Sequence, residues 1–218
     1  MSTRKWAALF DWDGVIIDSA KAHEKSWEQL ASEAGKILPA DHFLRGFGMR
    51  NEVIIPELLL WTQDPAEITE LSLRKEELYR EVITSEGVEV LPGVREYLQS
   101  LLDAHIPTIV GTSTQRANVE LIFECMGLAP FFQAVVSSED VSRGKPDPEV
   151  FLKAANKAQI PANDCVVFED AIHGIEAAKA GGMSAIGVLT THPDGGLPGA
   201  DKWVHRLDDL PLDGSYPL

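Results

Sequence analysis

Residues 7–14 read Ala-Ala-Leu-Phe-Asp-Trp-Asp-Gly, and the fold follows from how this stretch is parsed. An apolar run of four residues ends abruptly in two carboxylates one residue apart. A short continuous apolar run is what a parallel strand buried on both faces requires. Open α/β folds place their ligands at the carboxyl ends of such strands. Side chains alternate along a strand, so Asp11 and Asp13 point the same way, and Gly14 allows a sharp turn. Two neighbouring carboxylates repel, and a divalent cation between them or a proton on one relieves the repulsion. An exposed acidic turn accounts for the same residues, and the stretch by itself does not decide between the two.

Beyond this stretch, short apolar runs at 108–111, 134–136, 165–168 and 185–189 alternate with helix-period segments at 94–104, 116–126, 148–158 and 172–180. Gly and Pro stand at the ends of these segments, where helices start and stop. The alternation predicts an α/β fold, a Rossmann-like parallel sheet core. Residues 16–84 break it, offering helical patterns at 24–34, 52–61 and 66–82 and no strand, so they read as an inserted α-helical cap domain. Residues 1–15 and 85–218 then form a core of about 150 residues, an ordinary domain size. The segment 192–199, His-Pro-Asp-Gly-Gly-Leu-Pro-Gly, reads as a loop after the last strand.

Composition excludes several classes. The 218 residues are 44% hydrophobic, enough to bury a core, and no apolar run approaches the length of a membrane helix. With 34 acidic against 19 basic residues the net charge is −15, a field that repels nucleic acid and anionic membranes. Neither is expected as a partner. Cys125 and Cys165 lack the spacing of a metal or redox motif and read as reduced core residues. The N-terminus has no signal-peptide core, so the default expectation is a cytoplasmic chain. Nothing in the sequence sets the oligomeric state, and a monomer is the default.

Three further segments carry candidate chemistry. Glu169-Asp170 follow the apolar run 165–168, so a second acidic pair sits at a strand end; Asp170 also suits the N-cap of the next helix. Gly111-Thr112-Ser113-Thr114 closes another strand, where hydroxyls and N–H groups can hold phosphate oxygens, although Thr112 also suits a plain turn. Lys145, in Arg-Gly-Lys-Pro-Asp-Pro (143–148), can neutralise developing negative charge or stand as a solvated loop charge.

In this order and on these strand ends, the four motifs resemble the haloacid dehalogenase superfamily of aspartate-nucleophile hydrolases and phosphotransferases. The resemblance covers essentially the whole chain. It implies that Asp11 is the nucleophile that forms an aspartyl-phosphate, that Asp13 is the general acid/base, and that Thr112 and Lys145 hold the transferring phosphoryl group. It implies Mg²⁺ bound by the Asp11 carboxylate, the Asp13 backbone carbonyl and Asp170, with Glu169 nearby or acting through water. The insert resembles the small helical cap of the subgroup containing β-phosphoglucomutase and phosphoglycolate phosphatase. Asp18–His23 reads Asp-Ser-Ala-Lys-Ala-His, similar to a stretch of the mutases.

His23, Arg50 and Lys75 in the insert, with Ser113 and Arg116 in the core, are the candidate substrate-binding residues. An acidic protein binding an anion needs such local positive charge. An interfacial histidine and two solvated charges are the competing readings for the insert residues. Thr114-Gln115-Arg116 departs from the Ser-Lys-Asn-like sequence with which mutases grip a second phosphate, although Arg116 could serve as a fork. The expected function is a Mg²⁺-dependent phosphatase of a small phosphorylated metabolite, a sugar phosphate foremost. The alternative is a β-phosphoglucomutase-type phosphotransferase. Trp12 is expected to point into the core, and His173 to be structural.

Overall fold

β1 (Ala7–Phe10) is buried along its whole length, as a strand covered on both faces must be. It lies at the middle of a sheet in a computed structural model that describes residues 5–46, 48–192 and 196–218. The sequence between β1 and its neighbours contributes a two-residue strand β2 (Ile17–Asp18), then α1 (Ala20–Ala34), α2 (His42–Gly46), α3 (Asn51–Val53) and α4 (Pro65–Glu86). There follow β3 (Glu89–Val90), α5 (Val94–Asp103), β4 (Thr108–Gly111), α6 (Arg116–Met126), β5 (Ala134–Val136), α7 (Glu149–Ala158), β6 (Cys165–Glu169), α8 (Ile172–Ala180), β7 (Ser184–Val188) and β8 (Lys202–Val204). The main sheet has the order β5-β4-β1-β6-β7-β8, with every neighbouring pair parallel. β2 and β3 pair separately.

The pleat sorts side chains onto two faces. Leu9, Ile109 and Val167 join Phe151 of α7 and Ile175 of α8 in one apolar cluster. Phe10 stacks on Phe168 with centroids 4.4 Å apart, and Tyr97 of α5 meets both edge-on. Trp12 is fully buried, its ring edge-on to Phe123 of α6 at 5.3 Å. Helices on both faces of a parallel sheet make this an α/β fold.

Three details differ from the sequence pattern. A sixth strand, β8, follows the 192–199 loop, so β7 is not the last; Lys-Trp-Val lacks a continuous apolar run because it forms the sheet's edge, with Trp203 53% exposed. Residues 193–195 of that loop lie outside the described residues. The chain divides into two compact units, Met1–Asp18 with Val90–Leu218 and Ser19–Glu89. These divisions lie a few residues beyond 15 and 84, because Ile16 and Ile17 are buried, Gly14 N–H bonds to Ile17 O, and α4 continues to Glu86.

Within the helical unit α1 packs on α4, with Trp27, Leu30, Ile54, Ile55 and Leu78 forming its own apolar core. Asp64 caps α4 by accepting the Ala66 N–H at 2.9 Å, with Pro65 in the first turn. The pattern expected to be one helix over 52–61 is instead α3 followed by a π-helical turn, Ile54–Leu58. Pro56 has no amide to donate, and the turn widens so that Leu59 N–H reaches Ile54 O at 2.8 Å.

Candidate active site

The sheet register brings four separated segments to one edge. Phe10 is level with Val110 and Phe168, and Gly111 with Val136. Asp11 N–H then donates to Phe168 O and Thr112 N–H to Val136 O, both at 2.9 Å, so each residue continues the ladder one step past its strand. Chain growth runs outward from β1 through β4 to β5, then crosses to β6 on the other side. That reversal opens a crevice at the carboxyl ends of the strands.

Lys145 enters this crevice with its side chain 1% exposed, donating to Asp11 Oδ1 at 2.8 Å and Glu169 Oε1 at 2.6 Å. Its ammonium also lies 4.8 Å from the Phe151 ring centroid. The solvated-charge reading of Lys145 therefore fails. Asp13 Oδ2 accepts the Thr114 hydroxyl, and Thr112 Oγ1 accepts the Thr114 N–H at 3.1 Å. Ser113 between them is half-buried.

Asp170 does not cap α8. The capping position is Ala171, and its N–H is taken by Glu169 Oε2 at 2.8 Å. Asp170 Oδ2 instead accepts the Thr191 hydroxyl, and its Oδ1 is buried without a hydrogen-bond partner among the described residues. Two glycines make room for this acidic pair. A Cβ on Gly14 would stand 1.9 Å from Asp170 Oδ2, and one on Gly174 1.7 Å from Glu169 Oε1.

Four carboxylates therefore share a buried edge with one lysine. Burial pushes the Asp11 carboxyl up to about 7, with Glu169 and Asp13 adding to the rise and Lys145 opposing it. Burial also raises Asp170, reinforced by Glu169 and Asp11. For Lys145 burial works against the charge, but Asp11 and Glu169 outweigh it and hold the ammonium above the usual lysine range. Asp11, Glu169 and Asp170 each present an oxygen within 4.8 Å of the others'. Three hard oxygen donors, an excess of negative charge and an unpartnered Asp170 oxygen fit a divalent cation. A cavity of about 790 Å³ lies at the opposite, amino-terminal edge of the sheet, lined by residues such as Trp6, Pro107, Ile160 and Tyr216 and holding none of these groups.

The other candidates sit elsewhere. Arg116 turns toward the β5 side, where Nη2 pairs with Asp140 and reaches Val135 O at 3.3 Å, while its N–H faces Glu139. In the helical unit, His23 Nδ1 lies 2.7 Å from Lys75 Nζ. Lys75 is buried, pairs with Glu76 at 2.9 Å and lies over the rings of Trp27 and Tyr79, so it is not a solvated charge. Arg50 precedes α3 with Nε 3.4 Å from Glu52. His173 is half-buried beside Glu176.

Sequence reasoning gave no part to Thr190, Thr191, Asn51 or Glu76, and did not foresee the contact of Thr114 with Asp13. Thr190 and Thr191 follow the run 185–189 as the two hydroxyls at a core strand's carboxyl end, the same signal that singled out Thr112. Asn51 and Glu76 gave none, because a polar residue on an insert helix looks solvated until its neighbours are known.

Comparison with known proteins identifies the family. A chloroplastic 5-amino-6-(5-phospho-D-ribitylamino)uracil phosphatase from Arabidopsis thaliana is 38% identical over 94% of the chain, which spans 55% of that protein's length. A β-phosphoglucomutase from Bacillus subtilis is 32% identical over 95% of the chain and 92% of its own. The crystal structure of a hydrolase from Pseudomonas syringae superposes with a TM-score of 0.85 at 26% identity, covering 94% of this chain and 95% of that one. The family model described as haloacid dehalogenase-like hydrolase matches residues 8–188, from the middle of β1 to the end of β7 and so across the whole carboxylate edge. The chain belongs to the haloacid dehalogenase-like hydrolases.

Proposed function

We propose that the chain is a Mg²⁺-dependent phosphatase of small phosphorylated metabolites, foremost sugar phosphates, acting through an aspartyl-phosphate on Asp11. The observation that carries the proposal is the pairing of two unlike carboxylates at the switch point. Asp11 is gripped by Lys145 at 2.8 Å, while Asp13, two residues on, is held by a hydroxyl from the neighbouring strand end. Asp11 attacks phosphorus and the bond to the ester oxygen breaks. Asp13 gives the departing alkoxide its proton. Water then attacks the acyl-phosphate, Asp13 takes the water's proton, and inorganic phosphate leaves with Asp11 restored.

Lys145, the Thr112 hydroxyl and Ser113 hold the phosphoryl oxygens during both steps. Asp11 and Asp170, with Glu169 beside them and the Asp13 backbone carbonyl, would hold Mg²⁺, which when bound offsets the charge of these carboxylates and of the phosphoryl group. The helical unit carries His23, Arg50 and Lys75, the candidates for recognising the rest of the substrate. The phosphoribityl and phosphogluco groups in the relatives' names support a polyhydroxylated phosphate as substrate.

The B. subtilis relative favours a second reading, a β-phosphoglucomutase-type phosphotransferase. Against it stands Arg116, the candidate fork for a second phosphate, which is engaged by Asp140. A screen of phosphorylated metabolites that follows both phosphate release and isomerised product tests the proposal. With β-glucose 1-phosphate and catalytic bisphosphate, phosphate release is expected to exceed glucose 6-phosphate formation, and the reverse order promotes the mutase. Activity is expected to vanish in chelator and return with Mg²⁺ but only poorly with Ca²⁺, whose shell is larger and looser. Full turnover after metal removal overturns the metal assignment.

A further inference from the structure

The segment that leaves β7 makes a series of polar contacts with the acidic edge. Thr190 Oγ1 donates to Gly14 O at 2.5 Å and passes 3.4 Å from Asp170 Oδ2. The Thr191 hydroxyl donates to Asp170 Oδ2, and His192 Nδ1 lies 3.1 Å from Asp170 O. Leu189 N–H, bonded to Val204 O at 2.8 Å, anchors the segment to β8. Consecutive residues thus tie down both the turn after Asp13 and one oxygen of Asp170. The other Asp170 oxygen is buried and has no hydrogen-bond partner among the described residues.

We infer that Thr190 and Thr191 are positioning residues for the divalent cation, fixing Asp170 through Oδ2 so that Oδ1 is reserved as its ligand atom. The inference rests on the metal site proposed above. A carboxylate on two rotatable bonds presents either oxygen and samples several orientations, and each must be lost on binding. A hydroxyl donor on one oxygen makes that choice beforehand, adds no charge, and leaves the anion's attraction for the cation intact. Partners of this kind behind metal ligands typically control affinity by 10- to 100-fold. Thr190 adds to this by holding the carbonyl of Gly14, where any Cβ would displace Asp170.

The test is calorimetric titration of Mg²⁺ into the full chain stripped of metal, without substrate, beside thermal unfolding in chelator. Thr191→Val keeps the shape and removes the donor. It is expected to weaken Mg²⁺ binding on the order of 10- to 100-fold, with Thr191→Ser restoring it and Thr190→Val giving a smaller loss. If Val at 191 prevents folding, Thr191→Ala and Thr190→Val carry the comparison. Wild-type affinity in the folded hydroxyl-deleted variants overturns the inference and leaves the metal site standing. So does a Thr191→Ser variant as weak as Thr191→Val, which would make the effect one of packing. Failure of the wild-type chain to bind Mg²⁺ overturns the metal site itself, and the inference with it.

Discussion

The two units each bury a group of charges, and the two groups are built oppositely. In the core, Asp11, Asp13, Glu169 and Asp170 face a single Lys145, and one Asp170 oxygen lacks a partner among the described residues. In the helical unit, Lys75 meets Glu76 one to one, Asn51 donates to Glu76 at 2.7 Å, and His23 closes the other side. Burial works against the Glu76 charge, yet Lys75 and His23 hold its carboxyl below the usual range. By contrast, burial pushes Asp11 up to about 7. A balanced buried pair is complete without a ligand, whereas a surplus of buried negative charge calls for a cation and for protons that move. The first holds a positive group in place; the second has the surplus that the proposed chemistry needs.

The sharpest test of this contrast is Asp11→Asn. The amide is nearly isosteric and keeps an acceptor for Lys145, but it is no nucleophile. Turnover is expected to fall by at least roughly 10⁴-fold, as loss of a nucleophile does elsewhere, while the unfolding temperature holds or rises because one repelling charge is gone. Retained turnover in the purified variant removes Asp11 from its role.

Asp13→Asn breaks the same cluster less completely. If Asp13 moves protons, kcat should drop by roughly 10²- to 10⁴-fold for an alkyl phosphate and by less for an aryl phosphate, whose leaving group needs no proton. Equal losses on both substrates would assign Asp13 to holding structure, through its contact with Thr114, and not to acid–base work.

These two residues were legible in the sequence because a strand end is a local signal: a short apolar run, a carboxylate, a turn glycine. The short apolar run by itself gave β1, β4, β5, β6 and β7 to within a residue at either end. β8 escaped because an edge strand of three residues, one of them Lys202, carries no apolar run. Thr114 was quoted within its motif yet given no part, since its partner, Asp13, lies 101 residues away in the chain. The lysines mark the limit most clearly. Lys145 and Lys75 each sit among polar neighbours in sequence, and only tertiary packing shows that both are buried and paired.

For the helical unit the balance itself can be broken. Lys75→Met takes the buried cation from the Glu76 carboxylate, and Glu76→Gln takes the buried anion from the Lys75 ammonium. Each single change is expected to cost about 3–5 kcal/mol of stability, the usual penalty for leaving one member of a buried pair. The double variant should recover much of that loss, because two apolar or neutral groups of similar shape replace two charges. Additive losses in denaturant titrations would show that the pair is not coupled. A specificity assay on Lys75→Ala alone would confuse loss of a substrate contact with loss of the fold, so the double variant is the background in which to measure KM.

Arg116 gives the smallest effect and sets the outer boundary of the core cluster. Its side chain is 39% exposed and its Asp140 partner 38%, so water screens the pair, and such pairs contribute about 0–1 kcal/mol. Arg116→Ala should therefore leave stability within about 1 kcal/mol and change kcat/KM for an aryl phosphate by less than about fivefold, the kinetic equivalent of that energy. If Arg116 instead leaves Asp140 to grip a second phosphate, the alanine variant should lose bisphosphate-dependent isomerisation selectively while phosphate release persists. Measuring both products on the same variant separates the outcomes. A selective loss would extend the working site beyond the carboxylate edge to the β5 side of the sheet, and would make the mutase reading the better account of this chain.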